Sequence, residues 1–209
     1  GLSAPPYHSL NLGDHVGDVP ACVAANRAVF QDRVGAPPVF LNQVHGTDVL
    51  QLDAHTPQGS VADAAVTRRT GVACTIMVAD CLPVLLCDAS GTWVAAAHAG
   101  WRGLAGVNGQ GVLESLLSEL PVDGHHGELM AWLGPCIGPN AFEVGAEVRA
   151  QFIQHDQQAT QAFKSHGDKW LCNMYLIAQQ RLKELGVTQI YGGGVNEDFC
   201  TYTHEARFF

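Results

Sequence analysis

GVACTIMVADCLPVLLCDASGTWVAAAHA, residues 71–99, is the stretch that decides the fold class. It divides into GVACTIMVA (71–79), PVLLCD (83–88) and TWVAAAHA (92–99), short β-rich runs bounded by Gly, Pro, Asp or Ser. Several are apolar at consecutive positions, so strands buried on both faces are expected. Just upstream, VFLNQV (39–44) and DVLQL (48–52) have the same texture. Further out the periodicity turns helical. A helix is expected over 18–33, with Asp18 as its cap, Pro20 in its first turn and Gly35 stopping it. Others are expected over 112–120, 145–153 and 170–185, the last carrying Leu171, Tyr175, Ala178, Leu182 and Leu185 on one stripe before Gly186. LMAWLG (129–134) and VTQIYGG (187–193) read as late strands. Helices bracket strands without strict β-α-β alternation, which predicts an α+β protein with sheets in the middle and helices outside. At 209 residues, the chain is expected to form a single domain over 1–209.

Charge narrows the partners. With 11 Lys+Arg against 20 Asp+Glu the net charge is −9, a surface that repels a phosphate backbone. Nucleic acid is therefore not an expected partner. Neither is a membrane: no polybasic segment is present, and Asp80 interrupts the longest apolar stretch. The chain has 7 cysteines, an odd count, and no C-x-x-C pair, which reads as reduced thiols in a cytoplasmic protein. The opening GLSAPPYHSLNLG has neither the basic nor the apolar region of a signal peptide.

Three strand-like runs lead into metal-competent side chains, His45, Cys81 and His98. The gaps are 36 (81 − 45) and 17 (98 − 81) residues, so no local finger is present and a site would have to be assembled by the fold. Two imidazoles and a thiolate with a free fourth position match a catalytic zinc site. Taken singly, each also fits a bland role: a strand-end His as a hydrogen-bonded core residue, a lone Cys as packing. In HAGWRG (98–103), Gly100 and Gly103 allow close backbone approach, Arg102 offers a fork for phosphate or carboxylate, and Trp101 a stacking face. The same hexapeptide also suits an ordinary strand-to-helix turn. Asp80 is a candidate proton carrier or, more plainly, a strand-end cap. GPCIGPNAFEVG (134–145) reads as an ordered loop walling a pocket, and His125-His126 as an exposed loop. GGG (192–194) is not a dinucleotide fingerprint, and no G-x-S-x-G, H-E-x-x-H or Walker pattern occurs.

NQVHG (42–46), ADCLPVLLCD (79–88), AAHAGWRG (96–103), LGPCIGPNAFEVG (133–145) and CTYTHEARFF (200–209), with SAPPYHSLNLGDHVGD (3–18) at the front, resemble the YfiH family, also called DUF152 or laccase-domain-containing proteins. The resemblance implies a metal site of His45, Cys81 and His98, holding Zn²⁺ or alternatively Cu²⁺. It implies a layered α/β/β/α arrangement, with central mixed sheets and outer helices, related to the deamidase domain of cytotoxic necrotizing factor. Small-molecule nucleoside and phosphate would be the partners, with phosphorolysis of adenosine, inosine or methylthioadenosine and deamination of adenosine as the activities. Within the matching motifs Asn42, Gln43, Trp101 and Arg102 are candidate substrate contacts, and Cys81, His98, Asp80 and Arg102 candidate catalytic residues. Two departures stand out. The family usually continues past Phe-Phe with a Ser-Tyr-Arg-Arg stretch, and GLAGVNGQGVLE (103–114) is longer and richer in Gly than the usual run into the next helix.

The resemblance also carries an older label, multicopper polyphenol oxidase, and a bacterial branch credited with editing peptidoglycan precursors. A laccase-type centre needs about ten histidines, mostly in H-x-H pairs. This chain has 10 His in all and no such pair, which argues against that centre. A metal-free Cys–His hydrolase or amidase, with Cys81 attacking and His98 as base, gives His45 nothing to do. A non-catalytic partner protein would have no use for a complete ligand set beside Arg102. A zinc-dependent purine nucleoside enzyme accounts for the most residues; whether it is a monomer or a homodimer stays open.

Overall fold

The computed structural model describes residues 1–120, 128–193 and 199–208. The histidine pair at 125–126 and the last glycine of 192–194 lie outside the described residues. Helix α1 runs Pro20–Val34. Pro20 suits its first turn, where no partner exists for an N–H, and Gly35 closes it at φ 75° with its N–H donated to the Gln31 carbonyl. Asp18 is not the cap, because Val19 holds that position. Its carboxylate instead accepts from Ser3 and Asn11, tying the first turns of the chain to the start of the helix.

Eleven strands follow one another through the rest of the described chain. They are β1 (Pro38–Phe40), β2 (Val49–Gln51), β3 (Ala64–Thr67), β4 (Ala73–Thr75), β5 (Leu82–Asp88), β6 (Val94–Ala99), β7 (Leu129–Leu133), β8 (Glu143–Val144), β9 (Phe163–His166), β10 (Lys169–Cys172) and β11 (Gln189–Gly192). Six of them form a mixed sheet in the order β11-β7-β5-β6-β3-β2. The outer pairs are parallel and the central ones antiparallel. A parallel pair β1-β4 and an antiparallel trio β8-β10-β9 complete the set. The helices after α1 are α2 (Trp101–Ala105), α3 (Val112–Ser118), α4 (Ala146–Ile153), α5 (Met174–Glu184) and α6 (Glu205–Phe208). The architecture is mixed α/β with several sheets and helices.

Strand alternation sorts the six-stranded sheet into two faces. Leu82, Val84, Leu86, Ala95, Ala97, Ala99, Ala131 and Leu133 share one face, and all are buried with residues of α3 and α5 such as Leu113, Leu116, Ile177 and Leu182. The opposite face is covered near β3 by a smaller apolar cluster of Val39, Leu41, Leu52, Ala62 and Ala65. It is open toward β5 and β7, where Leu85 and Trp132 are exposed. Of the candidate site residues, His98 lies on this second face, opposite Pro83 in the β5–β6 pair.

Several expected elements are shorter than their runs. The run 39–44 is strand only to Phe40, and the run 71–79 only from Ala73 to Thr75. Beyond these points Gln43 pairs its amide with the backbone of Met77, so neither segment continues its ladder. The helix expected from 170 begins at Met174, capped by the Asn173 side chain on the Leu176 N–H. Residues 169–172 are strand β10 instead. The glycine-rich run into α3 resolves the same way: Glu114 reaches back to accept from the Gly111 N–H, and the chain turns through left-handed residues at Gly106, Asn108 and Gly109.

Candidate metal centre

His98 is the only one of the three expected ligands inside a strand, near the end of β6. Cys81 stands one residue before β5, and His45 lies on the loop between β1 and β2. The expectation that three strand ends deliver the site is therefore corrected: one strand and two loops do. They still converge. One donor atom from each of His45, Cys81 and His98 lies within 4.8 Å of the others, the one such group of three His, Cys, Asp or Glu found among the described residues. The Cys81 Sγ is 3.8 Å from the His45 Nε2, and the two imidazole rings are 4.7 Å apart between centroids. Exposure grades from His45 (exposed) through Cys81 (half-buried) to His98 (buried), so the cluster faces solvent on one side.

Asp63 holds this arrangement together. It is fully buried just before β3, and its Oδ1 is 2.8 Å from the His98 Nδ1. The same carboxylate accepts from the backbone N–H groups of Val44, His45 and Gly46 at 3.1, 2.9 and 2.7 Å. His45 adopts φ 60°, a left-handed conformation that lets successive N–H groups converge on one anion. One buried carboxylate thus shapes the loop of one imidazole and fixes the ring of the other, leaving the His98 Nε2 for the cluster. Burial works against the charged form of His98. The Asp63 hydrogen bond, joined by Cys81, outweighs it and raises its pKa to about 9. At His45, burial leads, with the charges of His98 and Arg102 adding to it, and the ring is held below its ordinary range.

The donor chemistry fits a zinc ion. Tetrahedral bonds of about 2.0–2.3 Å place ligand atoms roughly 3.3–3.8 Å apart, close to the Cys81–His45 spacing. Gly100 enforces the fit from behind, since a Cβ there would lie 2.8 Å from the Cys81 Sγ and 3.3 Å from the His45 Cδ2. Any larger residue would push into the donors.

The remaining candidates separate. Arg102 is exposed at the start of α2, its guanidinium 4.5 Å from the Trp101 ring centre and near enough to His45 to lower its pKa. Trp101 is half-buried, packed against the core and partly covered by that guanidinium. Gln43, expected at the substrate, is engaged elsewhere. Its Nε2 donates to the Met77 carbonyl at 2.7 Å and its Oε1 accepts from the Met77 N–H at 2.8 Å. That two-point clip joins the loops of His45 and Cys81. Asn42 is exposed and held through its backbone by Ser60 and Ala62. Asp80 accepts from the Thr201 hydroxyl at 2.6 Å through its side chain and from the Ile137 N–H at 2.9 Å through its carbonyl. Asp80 thus moors the Cys81 loop to the C-terminal segment and to the 134–145 loop.

A family model described as multi-copper polyphenol oxidoreductase laccase matches residues 1–209. The chain belongs to this family. Among relatives of this laccase-family chain, Purine nucleoside phosphorylase YfiH of Escherichia coli (strain K12) is 50% identical over 211 residues, spanning 100% of the chain and 83% of that protein. A purine nucleoside phosphorylase of Pseudomonas aeruginosa is 48% identical, spanning 100% of the chain and 82% of its own length. A crystal structure of a DUF152 protein from Neisseria meningitidis superposes with a TM-score of 0.89 at 43% identity, over 99% of this chain and 81% of that one. YfiH of Bacillus licheniformis does so at 0.84 and 25% identity, over 99% of this chain and 81% of that one. Although the family's description speaks of several coppers, the described residues of this member bring together one candidate ligand group.

Reading the sequence missed Asp63. Its signal was an acidic residue inside the apolar run VADAAV (61–66), a place where a carboxylate needs several donors.

Proposed function

We propose that this laccase-family chain is a zinc-dependent purine nucleoside enzyme. Its reactions would be phosphorolysis of adenosine, inosine or methylthioadenosine, and deamination of adenosine. The observation that carries the reading is the open-sided His45–Cys81–His98 cluster beside an exposed arginine. The names of the relatives, purine nucleoside phosphorylases at 50% and 48% identity, support the substrate class. His45, Cys81 and His98 would hold the ion, zinc or alternatively copper, which supplies Lewis acidity when bound. Arg102 binds the phosphate through a charge-assisted fork, pre-oriented by its stack on Trp101. Asp63 keeps the His98 ring turned so that its Nε2 faces the cluster, and the Gln43–Met77 clip keeps the two ligand loops in register. Asp80, placed among the proton carriers by sequence, is better used as the mooring of the Cys81 loop.

A second reading has one observation behind it. Cys81, His98 and Asp63 stand in the order nucleophile, base and orienting carboxylate, as a Cys–His hydrolase or amidase acting on a peptidoglycan precursor requires. It leaves His45 without a part. Steady-state turnover of inosine with inorganic phosphate separates the two. The zinc reading expects a chelator to abolish turnover, added Zn²⁺ to restore it, and His45→Ala to be as damaging as Cys81→Ala. Turnover that survives chelation and is lost only on alkylation of Cys81 would contradict it.

A further inference from the structure

We propose that Trp132, laid beside Pro83, is the platform on which the purine base stacks; this rests on the nucleoside reading above and adds its base-recognition surface. Strand register places the groups. His98 is opposite Pro83 in the β5–β6 pair, and the Gly134 N–H donates to the Pro83 carbonyl at 2.9 Å, so His98, Pro83 and Gly134 make one row across the sheet. In the next row Ala96 faces Leu85, Leu85 faces Trp132, and Trp132 faces Tyr191. Residues opposite one another, and those two apart along a strand, point to the same face. All of these side chains therefore share the face that carries His98.

The indole does not stand straight up from its strand. A Cβ on Gly134 would lie 2.7 Å from the Trp132 Cζ3 and 2.8 Å from the Pro83 Cγ, so the six-membered ring leans across the glycine toward the proline. Glycine at 134 is what leaves room for it. The result is a flat apolar surface that starts one strand away from His98 and ends about two strand spacings, or ~10 Å, from it. That span suits a nucleoside held for phosphorolysis, with its sugar at the cluster and its base on the ring.

Other tryptophans do not offer such a surface. Trp93 is 2% exposed, Trp101 faces Arg102 at 4.5 Å, and Trp170 faces Arg149 at 4.2 Å. Trp132 is 40% exposed and is continued by Leu85 at 44% and Tyr191 at 54%. Three large apolar side chains in register on an open sheet face, next to a candidate catalytic cluster, call for a flat apolar ligand. A purine stacks on an indole irrespective of its substituents, which would let one site take adenosine and inosine alike.

The test is a pair of KM values on the zinc-loaded enzyme. Trp132→Ala is expected to raise the KM for inosine about five- to a hundred-and-fiftyfold, the range that loss of one base–aromatic stack spans. The KM for phosphate and the zinc content should stay as they were, and Trp132→Phe should restore the inosine KM to within a few-fold. An unchanged inosine KM in Trp132→Ala would overturn the platform while leaving the nucleoside reading intact. Equal rises in both KM values, with no rescue by phenylalanine, would overturn it too and make Trp132 structural. If the unaltered enzyme turned over no purine nucleoside, the underlying reading would fail first and the platform with it.

Discussion

Removing the carboxylate of Asp63 would leave three backbone N–H groups and one imidazole N–H without their acceptor. Asp63→Asn keeps the shape but turns an amide NH₂ toward some of those donors. The expected outcome is a zinc affinity lower by about 10–100-fold, measured by competition with a chromophoric chelator, because the support behind a metal-bound histidine is worth that much. Affinity equal to the unaltered protein would remove Asp63 from the centre. At this scale the sequence was readable where residue chemistry is scarce. His45, Cys81 and His98 could be picked out because few side chains bind metals. Gln43 looked like a substrate contact by its place in NQVHG, yet nothing local shows that its amide matches the backbone of Met77, 34 residues away. Asp63 was hidden for the converse reason: its partners lie on the His45 loop and on β6, and its own neighbours are alanine and valine.

Strands β5 and β6 came out of the sequence nearly at their observed bounds, because Pro, Asp, Ser and Gly punctuate both. The turn between them has its own anchor. Asp88 accepts from the Thr92 and Trp93 N–H groups at 2.7 and 3.2 Å and from the hydroxyls of Ser90 and Thr92. Burial opposes the charge of Asp88, but those four donors prevail and hold its pKa far below the usual carboxylate range. A carboxylate depressed in the folded state stabilises fully above its unfolded pKa of about 3.9, and that contribution is lost as the pH falls below it toward the folded value. Asp88→Asn should therefore lower the Tm by several degrees at pH 7, with the gap narrowing below about pH 4. A gap that stayed constant from pH 7 to pH 3 would contradict the account. Other elements were harder to read. Ala64–Thr67 is half alanine, a poor strand former, and is strand only because it pairs with β2 and β6. Leu171 fits a helical stripe by spacing, but Asn173 caps a helix that begins at Met174, four residues after the expected start at 170.

For the molecule as a whole, the class could be inferred because helices flank a block of strands, and the observed structure is mixed α/β. The pairing order was not legible. It places β7 beside β5 and β11 beside β7, contacts made far along the chain that leave no periodic trace. That order matters for function: it aligns His98, Pro83 and Trp132 on the open face of one sheet, with the loops of His45 and Cys81 at its end. No helix among the described residues is long and apolar enough to cross a membrane. On the proposed function, this chain, in a family described by several coppers, works with one ion at His45, Cys81 and His98. Elemental analysis of the purified protein tests it most directly. The expected result is about one zinc per chain, falling to background in each of His45→Ala, Cys81→Ala and His98→Ala. Several coppers per chain, or a metal retained when all three ligands are replaced, would contradict it.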